Sequence, residues 1–197
     1  MKKIIFATQN QDKLREIRAI MEGDGVSVLS VKEAGIQADA EENGATFEEN
    51  ALIKARAVAA ASGAESAIVL ADDSGLEIDA LCGEPGVYSA RYMGEDTSYE
   101  IKNRNLIDRL DAAGGKDRSA RFVCAVAAVM PDGQEIVVRE TMEGRIGSEA
   151  QGENGFGYDP IFYPDGYDCS SAALTEAEKN AISHRGKALR AVMKKIL

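Results

Sequence analysis

The amino-acid sequence predicts a mixed α/β fold in which helices alternate with strands. Two observations lead to this prediction. Short runs rich in β-branched residues, each bounded by turn residues, recur along the chain and indicate strands. Between them lie segments with apolar residues at helical spacing, and three of these begin with the S/T-x-x-E pattern of a helix N-terminus. Because no repeat or Pro/Gly/Ser-rich linker interrupts residues 1–197, we expect one domain.

The elements follow one another along the whole chain. The predicted strands are Lys3–Ala7, Val26–Val31, Ala67–Ala71, Leu76–Asp79, Arg121–Met130 and Glu135–Met142. A turn at residues 131–133 predicts that the last two form a hairpin. Capping patterns predict helices that start at Thr46, Thr97 and Thr175. Two further helices are predicted, one after Asn10 and one over the C-terminal apolar spacing that ends at Ile196.

Composition restricts the class of protein and its partners. The hydrophobic fraction of 45% is typical of a soluble globular protein, and no apolar run is long enough to span a bilayer or to form a signal peptide. Three widely spaced cysteines favour reduced thiols over a disulfide framework or a zinc cluster. A formal charge of −10 disfavours binding to a polynucleotide. We therefore expect a cytoplasmic protein that engages neither membrane nor nucleic acid.

Two adjacent carboxylates, Asp72 and Asp73, follow the apolar run Ala67–Ala71, and Ser74 and a glycine come next. The pattern predicts that the strand ends at this point and presents both carboxylates to a binding crevice. Buried carboxylates are costly unless a metal or another cation neutralises them, so the pair predicts chemistry on a phosphate. The structural alternative is an Asx-type turn.

Two lysines are placed where they could meet anions. Lys13 closes a segment that starts at Thr8, between the first strand and the first helix, where free backbone amides could surround a phosphate. Simple helix capping is the alternative there. Lys54 lies beside the apolar stripe of the Thr46 helix and needs an anion, unless it extends past the stripe into water. The acidic loop Glu41-Glu42 just upstream could supply oxygen ligands to a hard cation or could simply be solvated.

Two further segments could hold a base. Three glycines interleave with Phe156 and Tyr158, so the backbone could approach a ligand closely while a ring stacks on it; a bulged loop with core aromatics is the alternative. His184 is the single histidine, which excludes a multi-histidine zinc site and disfavours a hydrolase triad. Beside Arg185 at a helix start it could contact an anion or a base carbonyl, or it could be purely structural.

Taken together, six segments closely resemble the inosine and xanthosine triphosphate pyrophosphatases, which remove deaminated purine nucleotides from the precursor pool. They run in the family's order across nearly the whole chain and comprise residues 7–13, 41–55, 71–76, 85–91, 155–160 and 183–185. The resemblance implies an elongated mixed central sheet flanked by helices, with two lobes and an active cleft between them, usually in a homodimer. It also implies Mg²⁺-dependent hydrolysis of ITP, dITP and XTP to the monophosphate and pyrophosphate.

The resemblance also implies roles for individual residues. Asp73 matches the catalytic carboxylate, with Asp72 beside it as the other candidate for activating water. Asp73 and Glu42 match the metal side, with Glu41 as the less favoured neighbour of Glu42. The matching phosphate-binding residues are Thr8, Gln9, Asn10, Gln11, Asp12, Lys13, Lys54 and Ser74. The matching nucleoside-binding residues are Phe156, Gly157, Tyr158, Asp159, Lys179, His184 and Arg185.

One position departs from the family pattern, because Gln9 stands where relatives often have glycine, and its side chain could crowd or supplement the phosphate contact. Two other functions remain open. The chain could be a pyrophosphatase for modified pyrimidine triphosphates, although residues 183–185 favour purines. It could also be a nucleotide sensor that does not hydrolyse, although the retained acids and lysines favour catalysis.

Overall fold

A computed structural model describes residues 2–21, 25–63 and 67–197. The strands are β1 (Lys2–Phe6), β2 (Val26–Ser30), β3 (Ile68–Ile78), β4 (Ser119–Val129), β5 (Glu135–Ile146) and β6 (Phe162–Pro164). The helices are α1 (Gln11–Met21), α2 (Phe47–Ser62), α3 (Tyr99–Ala112), α4 (Glu176–Ile182) and α5 (His184–Ile196). The predicted α/β class is confirmed. No helix within the described ranges has the length and apolar character needed to cross a membrane.

The strands form a mixed sheet in the order β2-β1-β3-β4-β5-β6. β1 runs parallel to both β2 and β3, whereas β5 and β6 are antiparallel. The pairing of β1 with β3 begins at Ile4↔Ile68 and ends at Phe6↔Leu70. β3 therefore continues beyond the carboxyl end of β1, and its next residues lie beside the loop that leads into α1.

The predicted strand end after Ala71 is wrong, because β3 is continuous from Ile68 to Ile78 and includes both Asp72 and Asp73. Ser74, which the sequence suggested as part of a turn, is also in the strand. The 11-residue β4 is the hydrogen-bonded neighbour of β3 on the side opposite β1. The aspartates thus lie past the end of β1 but within their own strand.

The helix-start and turn predictions are mostly confirmed. Thr46 and Thr175 each form a complete capping box. Thr97 is not a cap; Ser98, one residue later, has the extended conformation and accepts the amide of Ile101. The turn at residues 131–133 is confirmed by two backbone hydrogen bonds, in which the Met130 amide donates to the Gln134 carbonyl and the Gly133 amide donates to the Met130 carbonyl.

The chain divides into two compact units. Unit 1 comprises Met1–Asp73, Cys124–Glu140 and Arg185–Leu197, and unit 2 comprises Ser74–Val123 and Thr141–His184. Buried residues of β1, α1 and α5 build the core of unit 1, among them Phe6, Ile17, Leu189 and Val192. The core of unit 2 includes Leu76, Leu106, Phe122 and Phe162. A single domain, a cleft between lobes and a homodimer stay predictions.

Candidate active site

Asp72 lies in a buried network of charges in unit 1. Its side chain is 1% exposed, and its Oδ2 lies 3.2 Å from Nζ of Lys13 and 3.4 Å from Nε of Arg185. Arg185, itself 3% exposed, also donates through Nη1 to the carboxylate of Glu16. The network therefore pairs two cations with two carboxylates, which is the condition under which charges are tolerated in an interior.

These neighbours fix the charge of Asp72. Burial by itself would raise the pKa of Asp72, but the charges of Lys13, Arg185 and Lys54 outweigh it and hold the pKa well below its usual range. Asp72 is accordingly an anion at neutral pH, and its charge pairs with the surrounding cations.

Asp73 has a different environment in the same unit. Its Oδ2 accepts a hydrogen bond of 3.1 Å from Nδ2 of Asn50, and its Oδ1 lies 3.7 Å from Nζ of Lys54. The same ammonium contacts Oε2 of Glu42 at 2.9 Å. The prediction that Lys54 meets anions is confirmed, and of the two loop acids it is Glu42 that meets it, whereas Glu41 is exposed.

Burial raises the pKa of Asp73, an effect that Lys54 and Lys13 offset only in part. Burial acts to lower the pKa of Lys54, but Asp72, Asp73 and Glu42 together raise it, so the lysine is a firm cation. The adjacent aspartates thus have pKa values displaced in opposite directions. Such a divergence is typical of a site where one carboxylate accepts a proton while its neighbour remains charged.

Glu42 and Asp73 have the carboxylate oxygens that a magnesium ion takes as ligands. Mg²⁺ in such sites takes one or two protein carboxylates and completes its octahedron with phosphate oxygens and water. Within the described residues there is no group of three or more His, Cys, Asp and Glu side chains that could form a dedicated metal site. Glu42 and Asp73, the two carboxylates that approach the Lys54 ammonium, supply the one or two protein ligands that Mg²⁺ takes.

Side chains of the loop before α1 cap backbone amides of the same loop. Oδ1 of Asn10 accepts the amides of Asp12 and Lys13 at 2.9 and 3.1 Å, and Oγ1 of Thr8 accepts the amide of Asn10. Of the two alternatives that the sequence left open for this loop, the structure shows capping of these amides by side chains of the loop. Phosphate binding by the loop stays a prediction. The Lys13 ammonium remains as the cationic group that the loop aims at the aspartates.

A cavity of about 680 Å³ adjoins this loop in unit 1. Thr8, Gln9 and Gln11 line one part of it, and residues 30–32 and 36–39 line the rest. Gln9 and Gln11 are exposed, and the side-chain amide of Gln11 donates to the carbonyl of Gln9. The Gln9 side chain, which the sequence suggested could crowd or supplement a phosphate contact, thus lies at a cavity wall.

The predicted nucleoside residues of unit 2 are organised around Asp159. Oδ2 of this buried carboxylate accepts the amide of Phe156 at 2.9 Å and Nζ of Lys179 at 2.7 Å. Nζ of Lys179 also lies 5.1 Å from the centre of the Phe156 ring. Gly155 has φ +72°, and a Cβ there would overlap the Asp159 carboxylate, so only glycine suits this turn. The loop therefore presents Phe156 on a rigid support.

Tyr158 is not the stacking surface that the sequence suggested. It is 4% exposed, its hydroxyl donates to the carbonyl of Ser89 at 2.7 Å, and its ring packs edge-on against Tyr99. The half-buried Phe156 is the better candidate for stacking. Gly157 has φ +71°, and its carbonyl accepts a hydrogen bond from Asn103.

His184 and Arg185, adjacent in the sequence, have different surroundings. The His184 ring stacks on Phe122 in unit 2, with centroids 4.9 Å apart and an interplanar angle of 12°. Arg185 contacts Asp72 and Glu16 in unit 1, so its guanidinium is engaged by carboxylates. Its predicted contact with a base stays a prediction.

Glu16, Asn50 and Asn103 were assigned no role from the sequence. Glu16 lies three residues after Lys13 and so shares its side of α1, which is the one local signal for its burial. Its partner Arg185 lies 169 residues away, and spacing does not predict such a pair.

The fold and these two clusters define a mixed α/β protein with a buried acid and lysine site suited to a polyphosphate. The chain belongs to the Ham1 family, whose model matches residues 4–195. It is 48% identical to a dITP/XTP pyrophosphatase from Exiguobacterium sibiricum, over 95% of this chain and 93% of that protein. The resemblance predicted from the motifs is thereby confirmed.

Solved structures of the family share the fold. A HAM1 protein from Coxiella burnetii superposes with a TM-score of 0.88 at 41% identity, over 100% of this chain and 98% of that one. The Ham1 protein of Staphylococcus aureus gives a TM-score of 0.85 at 42% identity, over 99% of this chain and 98% of that one.

Proposed function

We propose that this protein hydrolyses the triphosphates of deaminated purines, ITP, dITP and XTP, to the monophosphate and pyrophosphate, and so keeps them out of DNA and RNA. The observation that carries the proposal is the convergence of Asp73 and Glu42 on Lys54, beside an Asp72 already neutralised by Lys13. The full-length similarity to a dITP/XTP pyrophosphatase supports the choice of substrate.

The acids and lysines would divide the work on the triphosphate. Glu42 and Asp73 would hold Mg²⁺, which when bound supplies Lewis-acid polarisation of the phosphate oxygens. The ammonium groups of Lys13 and Lys54 would spread the remaining negative charge of the transition state. Arg185 keeps Asp72 anionic, and Asp72 in turn keeps Lys13 directed at the substrate.

Asp73 is our candidate for the proton acceptor, because it is the less buried carboxylate of the pair, while Asp72 is engaged by Lys13 and Arg185. In the proposed step a water oxygen forms a bond to the α-phosphorus and its proton passes to Asp73. The bond from the α-phosphorus to the bridging oxygen breaks, and pyrophosphate leaves with that oxygen.

The base would be selected by donors in unit 2. Hypoxanthine and xanthine carry a carbonyl at position 6, which Lys179 or His184 could engage while Phe156 stacks on the ring. The amino group of adenine cannot accept a hydrogen bond from these donors, and each lost hydrogen bond costs about 0.5–1.5 kcal/mol. We therefore expect ATP to be a much poorer substrate than ITP.

We also propose that residues 1–197 act as one domain, as a homodimer in the cytoplasm, on free nucleotides rather than nucleic acids. The formal charge of −10 supports the last point, since it would repel a polynucleotide. Sedimentation of the purified chain checks the dimer, and a monomer at assay concentration would contradict it.

The test is a panel of ITP, dITP, XTP, GTP, ATP and modified pyrimidine triphosphates, assayed with and without Mg²⁺ for pyrophosphate and orthophosphate. We expect pyrophosphate from the deaminated purines when Mg²⁺ is present. Asp73→Asn should lower kcat about 10²–10⁴-fold while thermal melting shows a folded protein. Orthophosphate as the first product, equal turnover of ATP and ITP, or near-normal activity of Asp73→Asn would refute the proposal.

A further inference from the structure

Asn50 connects two parts of the candidate site through one side chain. It lies on α2, one turn before Lys54, and is 1% exposed. Its Nδ2 donates to Oδ2 of Asp73 at 3.1 Å, and its Oδ1 accepts the amide of Gly44 at 2.9 Å. Gly44 lies two residues after Glu42, so a single amide group links the acidic loop to the catalytic carboxylate.

The acidic loop is fixed to the start of α2 at three successive amides. After Gly44, the amides of Ala45 and Thr46 both donate to the Glu49 carboxylate, at 2.7 and 3.3 Å. A Cβ at Gly44 would lie 2.7 Å from Oδ1 of Asn50, which shows how closely the loop backbone packs on that side chain. Side chains of α2 therefore set the position of the segment that carries Glu42.

Charge explains why an amide suits this position. Asp73 and Glu42 are two carboxylates that share the Lys54 ammonium, so an aspartate at position 50 would add a third negative charge. An alanine would leave the Gly44 amide and one Asp73 oxygen without this partner. The neutral Asn50 amide donates to Asp73 and accepts from Gly44, so it holds the acidic loop at a fixed distance from Asp73. These two hydrogen bonds do not depend on whether Lys54 contacts the carboxylates or a phosphate.

We propose that Asn50 is a positioning residue that presets Glu42 and Asp73 for joint binding of a divalent cation. The inference rests on the proposed function for the identity of these two residues as the metal side. Partners of this kind, which orient ligands without touching the metal, typically change metal affinity about 10–100-fold when removed. We therefore expect Asn50 to affect metal affinity more than kcat at saturating metal.

The experiment titrates Mn²⁺, a paramagnetic substitute for Mg²⁺, into substrate-free protein and follows free Mn²⁺ by electron paramagnetic resonance. Asn50→Ala removes both hydrogen bonds, and Asn50→Leu removes them while filling a similar volume. Val58→Ala is the matched control, because Val58 is buried on the same helix and its truncation destabilises the core without removing a polar contact.

We expect the Mn²⁺ Kd to rise about tenfold or more in both Asn50 variants and to remain within about twofold of wild type in Val58→Ala. The Mg²⁺ concentration for half-maximal hydrolysis of ITP should rise in parallel. Wild-type Mn²⁺ affinity in a folded Asn50→Leu protein, an equal loss in Val58→Ala, or no Mn²⁺ binding by the wild type would overturn the inference.

The two proposals can fail separately. If the wild type releases no pyrophosphate from ITP while the Asn50 variants lose Mn²⁺ affinity, the proposed function fails and the positioning role stands. If the wild type hydrolyses ITP and Mn²⁺ affinity is the same in wild type and variants, the positioning role fails and the proposed function stands.

Discussion

Replacing Arg185 with methionine would leave Asp72 and Glu16 buried with one fewer cation between them. The side chains of these two carboxylates are 1% and 6% exposed, so water cannot take over the role of the guanidinium. Removal of one partner from a buried ion pair costs about 3–5 kcal/mol. For a protein of this size that corresponds to a fall in Tm of roughly 6–20 °C.

The loss should depend on pH in a definite direction. The folded-state pKa of Asp72 lies below its unfolded value of about 3.9, so the pairing stabilises the fold above that pH and this contribution disappears as the pH falls. Without Arg185 the buried carboxylates should protonate more readily. The gap in stability between wild type and Arg185→Met is therefore largest near neutral pH and narrows as the pH falls toward 4.

Urea unfolding at neutral pH and near pH 4.5 measures both effects. Arg121→Met is the control, because Arg121 contacts three carboxylates, those of Glu77, Asp79 and Glu143, but its side chain is 27% exposed. Exposed pairs contribute about 0–1 kcal/mol, so this control should barely change. A loss below about 1 kcal/mol for Arg185→Met, or the same loss at both pH values, would refute the reasoning.

Three further changes test other parts of the fold. Gly155→Ala should lower the free energy of unfolding in urea by about 2–4 kcal/mol, because it adds left-handed backbone strain and displaces the Asp159 carboxylate from the Phe156 amide. Gly166→Ala is the control: Gly166 has φ +82° but open space around it, so the loss should be only about 1–2 kcal/mol. Equal losses in the two variants would contradict this. Thr46→Ala removes a capping box and should lower stability by about 1 kcal/mol; no change in Tm would contradict the assignment. Burial raises the pKa of the Cys124 thiol to about 12, so iodoacetamide near pH 8 should modify the exposed Cys82 and spare Cys124 in peptide mapping; labelling of both would contradict the burial.

Helix starts could be predicted from the sequence more accurately than the ends of the long strands. Thr46 and Thr175 could be found because a capping box is confined to four residues. The continuation of β3 past Asp73 could not be predicted, because the Ser74-Gly75 pair resembles a turn unless the neighbouring strand is known. The same holds for Thr97, where a hydroxyl one residue later, on Ser98, took the capping position.

For the candidate site, the type of side chain predicted which residues belong to the site but not which of them form ion pairs with each other. Lys54 was expected to need an anion because it lies beside an apolar stripe, and the structure supplies Glu42 and Asp73. Nothing in the spacing indicated that Arg185 would meet Glu16, because that contact depends on how α1 and α5 pack. Long-range ion pairs follow from tertiary packing, which a single sequence does not display.

The composition of unit 1 from three separate stretches of chain has a consequence for biosynthesis. Its interior combines residues of β1 with Leu189 and Val192 of α5, so the first strand emerges long before its last packing partners. All of unit 2 is translated before Arg185. On the ribosome, part of the apolar surface of β1 and α1 therefore stays exposed to solvent until residues 185–197 have been synthesised. Until then, Asp72 also lacks its ion pair with the Arg185 guanidinium.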